Sequence, residues 1–262
     1  AVDLQEAARQ WGSHGTIRPF ELGREDLPYG FSPRGQLYGR EEQSEALERA
    51  IERTRAGGRE LLLVTGPAGI GKSTLVEQAR TAAAGRAGWL AGKCDMLQGI
   101  VPYAPIADAL GEWAQTVMRE PADVLAAVRD RVREAFARHG RILTETISRL
   151  VELLGEQPRL AGVGPVGAEN RFRLGFSRVF RALVADDGPI VLFLDDVQWI
   201  DFASIKLLRA LASDPELRSV LIVCVYRTEE VGPEHPFTKM IADLRAAAPV
   251  TRIELTALAP SA

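Results

Sequence analysis

The sequence is poor in the side chains that build metal and redox centres. Its 262 residues hold two cysteines and three histidines. Cys94 and Cys224 belong to no C-x-x-C pair, and His14, His139 and His235 form no ligand-spaced cluster. That excludes a zinc ribbon or a thiol-redox motif and makes reduced thiols in a cytoplasmic setting the expectation. Long apolar runs are missing as well. The longest, Pro189 to Leu194 and Val220 to Tyr226, fall far short of the roughly 20 residues that span a bilayer, so no membrane segment is expected. Nor does one sign of charge dominate. A formal net charge of -3, with 26% of residues charged, gives no general attraction to nucleic acid or anionic lipid, so an acidic ligand has to be held locally.

What is present suffices for one large α/β domain with a helical insertion. The stretch from Trp11 to Leu37 is rich in glycine, proline and charge without a period, and reads as a linker, placing the linker at 1–36. The chain opens at Ala1 and stops soon after a predicted strand, as a piece of a longer polypeptide would. Glu41 to Arg55 predicts a helix with Leu47, Ala50, Ile51 and Thr54 on one face. Five short apolar runs then follow: Leu61 to Thr65, Trp89 to Ala91, Ile190 to Leu194, Val220 to Tyr226 and Thr251 to Leu255. Runs apolar at every position suit parallel strands covered on both faces, and helical patterns separate them. Residues 102–187 carry no strand signal. There Val124/Val128/Val132/Phe136, Leu143/Ile147/Leu150/Leu154 and Phe172/Phe176/Val179/Phe180/Leu183 recur at three- and four-residue spacing, which predicts an inserted helical region with those stripes in its core.

Directly after the first strand stands Gly66-Pro67-Ala68-Gly69-Ile70-Gly71-Lys72-Ser73-Thr74, a match to G-x-x-x-x-G-K-[ST] between a strand and a helix. Glycines at these positions let successive N–H groups turn inward on a phosphate, and the helix behind adds its dipole. Lys72 supplies a mobile point charge for the β and γ oxygens of ATP, Ser73 a hydroxyl for Mg²⁺, and Thr74 reaches the α-phosphate. The third strand ends in Asp195-Asp196, and the ends of parallel strands open on the ligand crevice. Asp195 is the candidate to hold Mg²⁺, and Asp196 the candidate to orient and polarise the attacking water. Arg227, ending the fourth strand, is placed to sense the γ-phosphate, so Asp196, Lys72 and Arg227 form the candidate catalytic set. Asp201 reads first as the N-cap of the next helix. Gln198 and Trp199 either make a switch contact or simply pack, and Lys93 and Asp95 read first as ordinary surface residues. With no N-K-x-D motif after the fourth strand, ATP is expected rather than GTP.

Together, Tyr38-Gly39-Arg40-Glu41, Gly66 to Thr74, Leu194 to Trp199 and Tyr226-Arg227 resemble the STAND group of signalling ATPases, relatives of AAA+ proteins. Gly92 to Asp95, Val101 to Tyr103, Glu169 to Phe172 and Glu230 to Pro236 look like the ATPase module of bacterial sensor kinases. Those proteins join a Ser/Thr kinase-like domain to this module, followed by GAF and histidine kinase parts. The resemblance implies a P-loop NTPase sheet of order 5-1-4-3-2, and Tyr38, Gly39 and Arg40 flanking adenine. It also implies an ATPase domain over 37–258, with 259–262 starting a C-terminal lid. The expected function is an ATP/ADP-dependent switch that hydrolyses slowly within a signalling protein. Its partners would be ATP and the other domains of the same polypeptide, with no nucleic acid and a monomeric fragment. The alternative is an oligomeric AAA+-like remodeller or motor.

Overall fold

The computed structural model describes residues 39–96, 101–136, 144, 147, 149–155, 165–184, 188–245 and 248–258, with the side chains of 136 and 165–171 outside that description. The chain divides into two units, Ala1–Gln36 and Leu37–Ala262, and all described residues belong to the second. The expected linker, the candidate Tyr38 and the stripe position Leu143 lie outside the described residues.

Five parallel strands form one sheet: β1 (Arg59–Gly66), β2 (Gly88–Lys93), β3 (Ile190–Asp195), β4 (Val220–Arg227) and β5 (Val250–Glu254). Their order, β2-β3-β4-β1-β5, is the expected 5-1-4-3-2 read from the other edge. The runs are apolar throughout because successive side chains alternate between two covered faces. Leu61, Leu63, Leu192, Leu194, Ile222 and Cys224 point to one face, and Leu62, Val64, Val191, Phe193, Val223 and Val225 to the other. The second face is covered by α1 (Glu41–Arg55) through Leu47, Ala50 and Ile51, and by α2 (Lys72–Ala82) through Leu75, Val76 and Ala79.

The first face carries the region between β2 and β3. It contains α3 (Ala104–Val117), α4 (Ala122–Phe136), α5 (Arg149–Leu154) and α6 (Pro165–Leu183), and no strand among the described residues. Phe172, Phe176, Val179, Phe180 and Leu183 of α6 are all buried, as their spacing predicts. The α4 stripe needs correcting by one residue. Val132 is buried, but Val124 is 42% exposed, and the residues packed inward beside Val132 are Leu125 and Val128. The three- and four-residue spacing is kept from Leu125, so Val124 falls just off the inner face. After β3 come a 3₁₀ turn (Val197–Trp199) and α7 (Phe202–Ser213), and α8 (Pro236–Leu244) follows β4. No helix among the described residues is long and apolar enough to cross a membrane.

Parallel pairing aligns the strand ends that matter. Gly66 stands opposite Arg227 across β1 and β4, and Lys93 opposite Asp195 across β2 and β3.

Candidate nucleotide site at the strand ends

The loop after β1 turns on its glycines. Gly66 has φ 148 and runs so close to the Leu255 carbonyl that a Cβ would collide with it. Gly71, with φ 96, is the left-handed residue that starts α2, a conformation that costs a residue with a Cβ. Pro67, Ala68 and Gly69 are exposed at the tip, while Ile70 packs into the core under α1 and α2. The loop thus stands on an apolar foot with its tip exposed above. Ser73 and Thr74, in the first turn of α2, are half-buried.

Lys72, expected as a mobile point charge, is held in place here. It is buried at 8% exposure, and Nζ donates to the carbonyls of Gly66 at 2.9 Å and Pro67 at 2.6 Å. Burial pushes its pKa down and the charge of Arg227 adds to that, opposed by Glu229, Asp195 and Asp196.

The acidic strand end meets the loop directly. Ser73 Oγ donates to Asp195 Oδ2 at 2.8 Å, and the Asp196 N–H donates to Asp195 Oδ1 at 2.9 Å. Burial lifts the Asp195 carboxyl above its ordinary range; the Ser73 hydrogen bond opposes this, and the charge of Asp196 adds to it. Asp196 occupies the left-handed region, φ 53 and ψ 43, and its carboxylate lies between residues ending β2 and β4. There Lys93 Nζ lies 3.4 Å from Oδ2 and Arg227 Nε 3.9 Å from Oδ1. Lys93 is an exposed surface residue, as first read, but strand pairing also places its ammonium beside the acids. Arg227 also binds Glu230, Nη1 to Oε1 at 2.8 Å, and its guanidinium sits 5.3 Å over the Trp199 ring.

Gln198 and Trp199 divide between the two readings: Trp199 packs against the core beneath Arg227, and Gln198 makes polar contacts. Gln198 Nε2 donates to Asp196 Oδ1 at 2.9 Å, and its Oε1 accepts the Arg227 N–H at 3.3 Å. Asp201 caps α7 as expected: Oδ1 accepts the Ser204 N–H at 2.8 Å and also the Tyr103 N–H at 3.3 Å. His235, which no motif singled out, bonds the Gln198 carbonyl through Nε2 and caps α8 through Nδ1. Its sequence signals were its place in the stretch Glu230 to Pro236 and the Pro236 that follows it, a residue favoured in the first turn of a helix. Arg40 is buried and donates to the Thr256 carbonyl at 2.5 Å, while Leu258 lies against Gly39. These contacts join the start of the domain to the segment after β5.

The AAA ATPase domain family model matches residues 36–223, more than half of the chain. The chain belongs to the AAA ATPase domain family. Membership implies nucleotide binding, typically with Mg²⁺, and hydrolysis in general. A curated relative of this AAA ATPase domain, hybrid signal transduction histidine kinase G of Dictyostelium discoideum, is 28% identical over 199 residues. The match covers 76% of this chain and 6% of that relative's length. Solved structures similar to it include Cdc6p from Pyrobaculum aerophilum, with TM-score 0.48, 13% identity, and coverage of 86% of this chain and 47% of that one. Another is the Aeropyrum pernix ORC1 protein in complex with DNA, with TM-score 0.42, 14% identity, and coverage of 89% and 48%.

No three His, Cys, Asp or Glu side chains among the described residues gather as a metal cage. Mg²⁺ does not need one, since it is held by one or two protein oxygens together with phosphates and water. Ser73 Oγ and Asp195 Oδ2, hard oxygen donors 2.8 Å apart, fit that demand.

Proposed function

We propose that this AAA ATPase domain is a slowly hydrolysing, ATP-dependent regulatory switch within a larger cytoplasmic signalling protein, one of the kinase type. The observation that carries the reading is the hydrogen bond from Ser73 to Asp195, with Asp196 and Arg227 beside it. It supports the reading because these residues, proposed as metal ligand, water-orienting acid and sensing cation, meet the glycine-rich loop at the ends of neighbouring strands. In this reading the backbone of Gly66 to Gly71 cradles the phosphates and Lys72 turns from its own loop carbonyls to the β and γ oxygens. Asp196 orients the attacking water and accepts its proton, and Arg227 reports whether a γ-phosphate is there. Ser73 and Asp195 would hold Mg²⁺, which neutralises charge on the phosphate oxygens. Gly39 and Arg40, with Tyr38, are assigned to the adenine side. Residues 37–258 are assigned to the ATPase domain, 1–36 to a linker from an upstream kinase-like domain, and 259–262 to the approach to a C-terminal lid. The resemblance to sensor-kinase modules and the kinase relative support the signalling context.

The test is phosphate release over a hundredfold range of protein concentration, with light scattering to follow mass. P-loop proteins working unaided turn over at roughly 10⁻⁴ to 10⁻² per second, and a supplied arginine adds about 10³ to 10⁵. A switch should stay at about 10⁻² per second or below, independent of concentration. Turnover near one per second that rises as oligomers form would overturn the switch in favour of a motor.

A further inference from the structure

We infer that Gln198 is a positioning residue for hydrolysis, fixing the Asp196 carboxylate and tying it to the strand that carries Arg227; this rests on the role of Asp196 proposed above. Its amide is buried, at 7% exposure, and both ends are used in opposite senses. The NH₂ group donates to Asp196 Oδ1 at 2.9 Å, and the carbonyl accepts the main-chain N–H of Arg227 at 3.3 Å. Among side chains of this size only an amide can do both. Glutamate cannot donate to a carboxylate, methionine offers neither strong group, and asparagine is one methylene short.

The main chain on either side of the amide is also held. His235 Nδ1 accepts the Phe237 N–H at 3.2 Å, which leaves the imidazole proton on Nε2, where it is donated to the Gln198 carbonyl at 3.2 Å. Trp199 lies under the Arg227 guanidinium. Asp196 itself, a non-glycine residue at φ 53, keeps a conformation that persists where surrounding contacts over-determine it. Gln198 supplies that contact: with Oδ1 fixed, Oδ2 is left on the side facing Lys93. Because one side chain bonds both Asp196 and the backbone of Arg227, a displacement of Arg227 reaches the carboxylate without passing through bulk solvent.

The test compares Gln198→Glu, Gln198→Met, Asp196→Asn and the double variant Asp196→Asn/Gln198→Glu in the whole 262-residue chain. Readouts are Mg-ATP affinity by titration with a fluorescent analogue, kcat and KM by phosphate release, and melting. A misplaced reacting group costs on the order of a hundredfold. Gln198→Glu and Gln198→Met should therefore lower kcat by about tenfold to a hundredfold, with KM and analogue affinity nearly unchanged. The double variant exchanges donor and acceptor, so it should recover the melting temperature lost in Gln198→Glu while remaining inactive. Should Gln198→Glu fail to fold, Gln198→Met, which keeps the shape and adds no charge, carries the comparison. Wild-type kcat in the Gln198 variants beside an inactive Asp196→Asn would overturn the inference. So would parallel losses of affinity, kcat and melting temperature, which mark a merely structural residue. Full activity in Asp196→Asn would instead overturn the role proposed for Asp196.

Discussion

The strand ends and the inserted helices are built on opposite rules. At the ends of β1, β3 and β4 four candidate side chains are each held by another polar group: Lys72 by loop carbonyls, Asp195 by Ser73, Asp196 by Gln198, and Arg227 by Glu230. In the insertion the contacts that matter are apolar, with Phe176, Phe180 and Leu110 buried to 1% exposure or less and the Phe172 and Phe176 rings 4.7 Å apart. Polar contacts of the first kind fix geometry while adding little net stability, because folding only exchanges them for water. Burial of the second kind carries stability and is indifferent to charge. Chemistry and stability should therefore respond to different substitutions.

The largest separation is expected at Asp196. Asp196→Asn should retain Mg-ATP yet lose hydrolysis by about 10²- to 10⁴-fold, the range for a positioned acid–base group, with the melting curve little changed. Asp195→Asn should instead weaken the magnesium-dependent part of ATP binding, as titrations with and without the ion will tell. Equal loss of binding in both would erase the distinction between the two acids.

Phe176→Ala tests the other region. Truncating a fully buried phenylalanine costs about 3 to 5 kcal/mol, read by denaturant unfolding, while the molecules still folded should bind ATP as before. A parallel fall in affinity would show that the insertion shapes the site and would break the comparison.

Lys72→Ala tests where the two rules overlap. ATP affinity should drop at least about tenfold, or 1.4 kcal/mol, by loss of a charge-assisted contact. Because Lys72 is buried and bonded to two carbonyls, melting without nucleotide should also fall, by about 1 kcal/mol in stability. Unchanged affinity would remove the loop from the site.

The smallest effect concerns the thiols. Burial, reinforced by the charges of Asp201, Asp195 and Asp196, pushes Cys94 up to about 12, and burial raises Cys224 as well. The thiolate is the reactive form, so iodoacetamide at pH 8 should leave both unmodified in the native protein. Unfolding returns both to ordinary values, and both should then react. Rapid native labelling of Cys94 would mean that the sheet end opens readily.

Local sequence was enough for the five strands and the glycine-rich turn into α2, because apolar runs and glycine spacing are short-range signals, whereas the strand order came from the family resemblance. Asp201 was legible for the same reason: its partner Ser204 is three residues away. Lys93 was not, since its nearness to Asp196 depends on the pairing of β2 with β3 across a long insertion. His235 and Gln198 are likewise joined only by the fold, 37 residues apart. Val124 shows a different limit: periodicity alone does not choose between adjacent phases of a helix, and Leu125 belonged to the inner face instead.

The bond from Arg40 to the Thr256 carbonyl, with Leu258 against Gly39, has a mechanical consequence. The first and last described segments of this unit, at Gly39–Arg40 and at Thr256–Leu258, are thereby fastened side by side, like two ends of a cord under one clasp. Tension pulling those two segments apart would load that clasp before it reached the hydrogen bonds of the sheet.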